Sequence, residues 1–188
     1  MHSLVIFASG KGSNANAIIQ YCKKTSIAKV TLIITNKADA GVLDIARDEH
    51  IPFLIVDKES FKETLLIDQL QSCKPSLIVL AGFLWKIPDN IIHAFPGKII
   101  NIHPALLPSH GGKGMYGRHV HNAVISVKSK ESGITIHYVN EVYDSGNIIL
   151  QARCPVYDTD NAGTLAARIH HLEHFYYPRT IEFILANQ

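Results

Sequence analysis

Asn101 and His103 stand two residues apart in the string NIHPALLPSHGGKG (101–114), directly after an apolar run. Residues i and i+2 of an extended strand share a face, so the amide and the imidazole point one way while Ile102 points the other. Two such donors side by side suit the gripping of a carbonyl oxygen as it gains negative charge. Pro104 biases His103 towards an extended backbone, which holds the pair rather than leaving it loose. Spacing alone serves a second reading equally well, in which both side chains only satisfy loop backbone groups.

The stretch SGKGSNA (9–15) lies where a strand turns into a helix. Glycines at such a turn let backbone N–H groups approach an anion, and the helix N-terminus adds a favourable dipole. Gly10, Gly12 and Ala15 satisfy G-x-G-x-x-[GA], but TNK stands where a dinucleotide site carries its acidic residue, and no Walker pattern follows. This combination favours a single phosphate monoester over NAD. The competing reading is a tight turn with Ser13 or Asn14 as helix N-cap.

Positioning both clusters requires a scaffold, and the hydrophobic rhythm supplies one. Apolar runs at 4–9, 29–36, 52–57, 76–82 and 98–103 alternate with helical patterns near 14–24, 41–50, 59–73 and 88–94. Continuous Val/Ile/Leu strands with helical crossovers predict an open, mostly parallel, doubly wound α/β sheet buried on both faces, with right-handed crossovers. After the NIHP loop a helix is expected over about 117–128. GITIHYVN (133–140) and NIILQARCPV (147–156) then form a β-hairpin, and a last helix runs from Asn161, broken at Pro178. The 188 residues read as one domain: residues 1–100 a phosphate-binding half, and 101–188 the catalytic loop, hairpin and C-terminal helix.

Composition narrows the class. Hydrophobic residues at 47% and charged residues at 18% are an ordinary globular balance, and a net charge of +2 without Lys/Arg runs gives no nucleic-acid footprint. Cys22, Cys73 and Cys154 are odd in number and widely spaced, so reduced thiols are expected rather than a disulfide or metal set. LVIFA is far too short for a signal or membrane span, and a soluble cytoplasmic protein is the expectation. His119 and His121, with His110 nearby, do not make a metal site, since i and i+2 diverge on a helix and no carboxylate or thiol completes a set. They are read as surface or loop histidines, and no metal is expected. Phe83 and Trp85 close a strand at its C-terminal end, which favours pocket lining over plain core. His170 and His174 are read as solvated, with substrate contact open to them through neighbouring Glu173.

NIHPALLP, together with SGKGSN, LAGFLWKIP and YDSGNIILQ, resembles the folate-dependent formyltransferases, and these strings run in family order over essentially the whole chain. The resemblance implies a Rossmann-like fold. It also implies transfer of a formyl group from the cosubstrate 10-formyltetrahydrofolate to the amine of glycinamide ribonucleotide, a step of purine synthesis. It assigns Asn101, His103 and Asp144 to the catalytic positions, with a protonated His103 paired to Asp144. Gly12, Ser13 and Asn14 fall on the substrate phosphate loop, Glu173 on the ribose contact, and Leu84, Trp85, Lys86 and Ile87, with Asn101, on the folate pocket. It further suggests a cis bond before Pro108. Lys58 is not assigned to the folate tail. Two departures stand out: a tryptophan at 85, where relatives carry smaller or basic residues, and the glycine-rich SHGGKGMYG in place of a shorter aromatic-proline turn.

Four readings fit such a chain. Relatives that hydrolyse formyl folate carry an added N-terminal domain, and those acting on tRNA or nucleotide sugars a C-terminal module. With strand one at Leu4 and 188 residues in all, the expectation is neither. A non-catalytic phosphate-ligand module has no need of the Asn101, His103 and Asp144 trio. The ribonucleotide transferase is the expected activity.

Overall fold

The computed structural model describes all 188 residues. Its strands are β1 (His2–Phe7), β2 (Ala28–Thr35), β3 (Phe53–Ile55), β4 (Leu77–Leu80), β5 (Ile99–His103), β6 (Glu131–Tyr138) and β7 (Ile148–Pro155). Its helices are α1 (Ser13–Thr25), α2 (Val42–Asp48), α3 (Thr64–Ser72), α4 (Asp89–Ala94), α5 (Arg118–Ser126) and α6 (Ala162–Ala186). The strands form one sheet in the order β3-β2-β1-β4-β5-β6-β7. The first five are parallel, and β6 and β7 join antiparallel as the expected hairpin.

Residues Leu4 to Phe7 show why the inner strands read as continuous apolar runs. All four are fully buried, but Leu4 and Ile6 join a core of 29 buried residues on one face, while Val5 and Phe7 join a core of 14 on the other. Each such side chain contributes about 1.5–3 kcal/mol relative to exposure. No polar position can be spared in a strand covered on both sides.

Three elements depart from expectation. β3 keeps only three residues because it is the sheet edge, with Phe53 and Ile55 exposed and ladder bonds to β2 alone. The helix expected over 59–73 splits into a 3-10 turn (Ser60–Lys62) and α3. Asp57 accounts for the first part, since its carboxylate accepts from the Glu59 and Ser60 N–H groups and the Ser60 hydroxyl. α6 is not broken at Pro178 but runs through it for 25 residues. Pro178 removes one helical donor, yet Leu165, Ile169, Tyr177 and Ile181 all pack into the larger core and hold the helix on the sheet. The Tyr177 hydroxyl donates to the Leu80 and Ile100 carbonyls at 3.0 and 3.3 Å, tying α6 to β4 and β5 beneath the site. No helix is long and apolar enough to cross a membrane.

Candidate active site

Neighbouring strands β1 and β4 send their chains in opposite directions across the sheet, and ligands of open α/β folds settle at the carboxyl end of such a switch. A cavity of about 530 Å³ lies there. The turn after β1, the loop after β4 and the end of β5 all line it, carrying Gly12–Asn14, Leu84–Ile87 and the Asn101/His103 pair. Asp144 and Glu173 line it too, from the hairpin loop and α6. Strands about 4.8 Å apart place the β1 and β5 loops roughly 10 Å from each other.

At the β1 loop, neither Ser13 nor Asn14 caps the helix. Gly12 is the N-cap, with φ 78° and ψ 20°. A Cβ there would meet Ile45 at 2.8 Å and Val42 at 2.9 Å, so α2 seats against the loop only because position 12 is glycine. Gly12→Ala therefore combines overpacking with left-handed strain, together about 2–4 kcal/mol. A melt should show this as a fall of roughly 5–15 °C, and the KM for a phosphorylated substrate should rise more than that for a folate.

Asn14, freed from capping, reaches across the chain. Its Nδ2 donates to Glu173 Oε2 at 3.0 Å, while its Oδ1 is buried with no partner. Burial pushes the Glu173 carboxyl above its ordinary value, against the opposing pull of Asn14 and of the His170 ring 4.0 Å away. A carboxyl raised by folding stabilises the native state below its unfolded pKa, and that contribution is lost as pH rises through the folded value. Glu173→Gln should thus raise the melting temperature at pH 7, with the difference closing below about pH 4. Melts across pH 4–8 would read it directly, at about 2–4 °C per kcal/mol.

The β4 loop is partly committed to the protein. The Leu84 N–H donates to Ser9 Oγ at 2.9 Å. Trp85 lines the cavity and also packs on Phe61 and Phe83, with centroids 5.5 and 6.3 Å away. Lys86 pairs with Asp89 at 3.0 Å, and Ile87 is buried in the smaller core. Lys58 is exposed and does not line the cavity.

At the β5 end, the loop is clamped from behind. Thr135 Oγ1 donates to the Ala105 carbonyl at 2.7 Å and accepts the Leu107 N–H at 3.0 Å. Gln151 Nε2 donates to the Leu107 carbonyl at 2.9 Å. The Leu107–Pro108 bond is cis, as expected.

Asp144 comes in from the hairpin loop with φ 52° and accepts the Gly112 N–H at 2.9 Å. Its carboxylate lies 3.6 Å from His103 Nδ1 and 3.7 Å from His137 Nε2. Burial pushes this carboxyl up, but the His137 and His103 rings and the Gly112 N–H outweigh it and hold the group below its ordinary value. His103 runs against expectation. Burial is the larger influence and pulls its pKa down despite Asp144 and the His110 carbonyl, so the ring is not a standing imidazolium. Its Nε2–H donates to that carbonyl at 2.8 Å.

His137 went unassigned in the sequence. Antiparallel register sets it opposite Asn101, and Asn101 Nδ2 sits 3.2 Å from its Nε2. Its Nδ1–H donates to the Tyr138 carbonyl at 2.8 Å. The one available signal was the polar T-x-H inside an otherwise apolar strand. His121 is also corrected: it is 4% exposed and lines the cavity, while His119 is exposed against Tyr116. His170 lines the cavity, whereas His174 stacks on it from outside. No group of three or more His, Cys, Asp or Glu side chains is arranged to hold a metal ion.

An amide, two imidazoles and a carboxylate stand at one end of a cleft, with a glycine-lined helix start at the other. The chain belongs to the formyl transferase family, whose pattern matches residues 2–181. It is similar to phosphoribosylglycinamide formyltransferase of Bacillus subtilis, 38% identical over 191 residues covering 98% of this chain and 95% of that one. The chloroplastic phosphoribosylglycinamide formyltransferase of Arabidopsis thaliana is 41% identical over 185 residues, 95% of this chain. This chain spans about three fifths of that plant protein's length (63%). In structure it resembles phosphoribosylglycinamide formyltransferase from Bacillus halodurans, with TM-score 0.88 and 34% identity over 98% of this chain and 95% of that one.

Proposed function

We propose that this chain transfers the formyl group of 10-formyltetrahydrofolate to the amine of glycinamide ribonucleotide. The observation that carries this is the joint lining of one cavity by the Gly12–Asn14 loop, Glu173 and the Asn101, His103 and Asp144 trio. Gly12, Ser13 and Asn14 hold the substrate phosphate through backbone N–H groups at the start of α1. Glu173 takes the ribose hydroxyls, which also repays the cost of burying its carboxylate. The β4 loop, Leu84 to Ile87, lies between the two ends and lines the side where the folate binds, with Trp85 as its apolar wall.

The neutral amine attacks the formyl carbon, and charge gathers on the formyl oxygen. Asn101 Nδ2 donates one hydrogen bond to that oxygen, leaving His137 to do so. His103 donates the second through Nε2–H, which the His110 carbonyl releases. The developing oxyanion strengthens this hydrogen bond, and the Nε2 proton stays on the ring throughout. The amine nitrogen gives up a proton and the C–N10 bond breaks as N10 gains one. Asp144 is placed to relay that proton through a water. A coupled assay with the two substrates tests the reading. Formylated ribonucleotide and free tetrahydrofolate in equal amounts are expected, and folate deformylation without an acceptor would replace this reading with a hydrolase.

A further inference from the structure

Among buried side-chain polar atoms, three lack any partner: Asn14 Oδ1, His121 Nδ1 and Ser132 Oγ. The first two belong to residues that line the cavity. Asn14 at least engages Glu173 through its other amide atom. His121 has no hydrogen bond to the protein at all, although α5 buries it beside Val120 and Val124. A buried polar group with nothing to bond costs folding free energy, so a ring kept in that state points to a partner supplied by ligand.

Location narrows the partner. His121 is close enough to His103 and His170 for both rings to act on it electrostatically. His103 at the formyl-transfer end, and His170 and Glu173 at the α6 end, line the same cavity as His121. On the glycinamide-ribonucleotide reading, on which this rests, the group spanning those ends is the amide joining ribose to the reacting amine. We propose that His121 is a positioning residue that hydrogen-bonds this glycinamide linkage and aims the amine at the formyl carbon. Burial pulls its pKa down to about 4, with His170 and His103 adding to the shift, so at neutral pH the ring is uncharged. An uncharged imidazole can offer either an N–H to an amide's carbonyl or a lone pair to its N–H. It also spares the incoming amine a nearby positive charge.

The full chain carrying His121→Leu or His121→Gln would be titrated calorimetrically with glycinamide ribonucleotide and with ribose 5-phosphate, and melted alone. His121→Leu is expected to weaken the ribonucleotide roughly 5- to 100-fold. Ribose 5-phosphate, which lacks the linkage, should bind as before. The Leu variant should melt at or above the unaltered chain, because an unpartnered polar group has been removed from the interior. His121→Gln, with both a donor and an acceptor, should recover part of the affinity. Equal weakening of both ligands, unchanged ribonucleotide binding, a Gln variant no better than Leu, or a lowered melting temperature in the Leu variant would each overturn the proposal. If the unaltered chain binds ribose 5-phosphate but not the ribonucleotide, the functional reading itself fails and this proposal falls with it.

Discussion

Asp144→Asn is expected to lower kcat by on the order of 10²–10⁴, with the dissociation constant for glycinamide ribonucleotide almost unchanged. The variant keeps shape and backbone, because asparagine tolerates the left-handed φ of 52° at this position. What it removes is the charge 3.6 Å from His103 Nδ1 and 3.7 Å from His137 Nε2. Without that charge, only the His110 carbonyl opposes the burial that keeps His103 neutral, and the proton relay loses its acceptor. Stability should change in a defined direction as well. A carboxyl held below its unfolded pKa contributes stability above that unfolded value and loses it as pH falls through the folded one. Asp144→Asn should therefore melt lower than the unaltered chain at pH 7, with the two curves converging in acid. Near-normal turnover in the variant would remove Asp144 from the machinery.

Asn101→Ala and His103→Ala should each cost about 10²–10³ in kcat, the usual toll for one lost oxyanion donor. Steady-state kinetics should show KM for the ribonucleotide moving little, since neither residue belongs to the phosphate end. Because His103 and Asp144 serve one transition state, the double variant His103→Ala/Asp144→Asn should fall far short of the product of the single losses. Losses that multiply strictly would mean that the carboxylate and the imidazole act separately. Asn101→Ala carries a second consequence in the free protein. His137 Nε2 loses the amide that faces it at 3.2 Å, and its ring is left with only the Asp144 carboxylate beside that nitrogen.

Much of the scaffold and one end of the site can be read along the chain, since both rest on periodicities a few residues long. Leu4 to Phe7 announce a strand covered on both faces. The two-residue spacing of Asn101 and His103 puts them on one face whatever surrounds them. Glycines 10 and 12 mark a tight strand-to-helix turn, although the structure ties Gly12 to the approach of α2. The family strings extended this to Asp144 and Glu173, which no local rhythm would single out. The tertiary structure alone decided the rest. Asn14 meets Glu173 across 159 positions of sequence, and it does so as a hydrogen-bond donor rather than a helix cap. His137 faces Asn101 because of the antiparallel register of β6 on β5. His121 is buried where α5 meets the cavity, and α6 continues through Pro178 because six of its side chains are fixed in the core. Burial likewise pulls the pKa of His103 down, where the sequence suggested a cation. The physical reason is common to all of these. Backbone preference and side-chain periodicity act over one or two turns of chain, whereas register, burial and the desolvation of a titratable group are set by the summed packing of elements far apart in sequence.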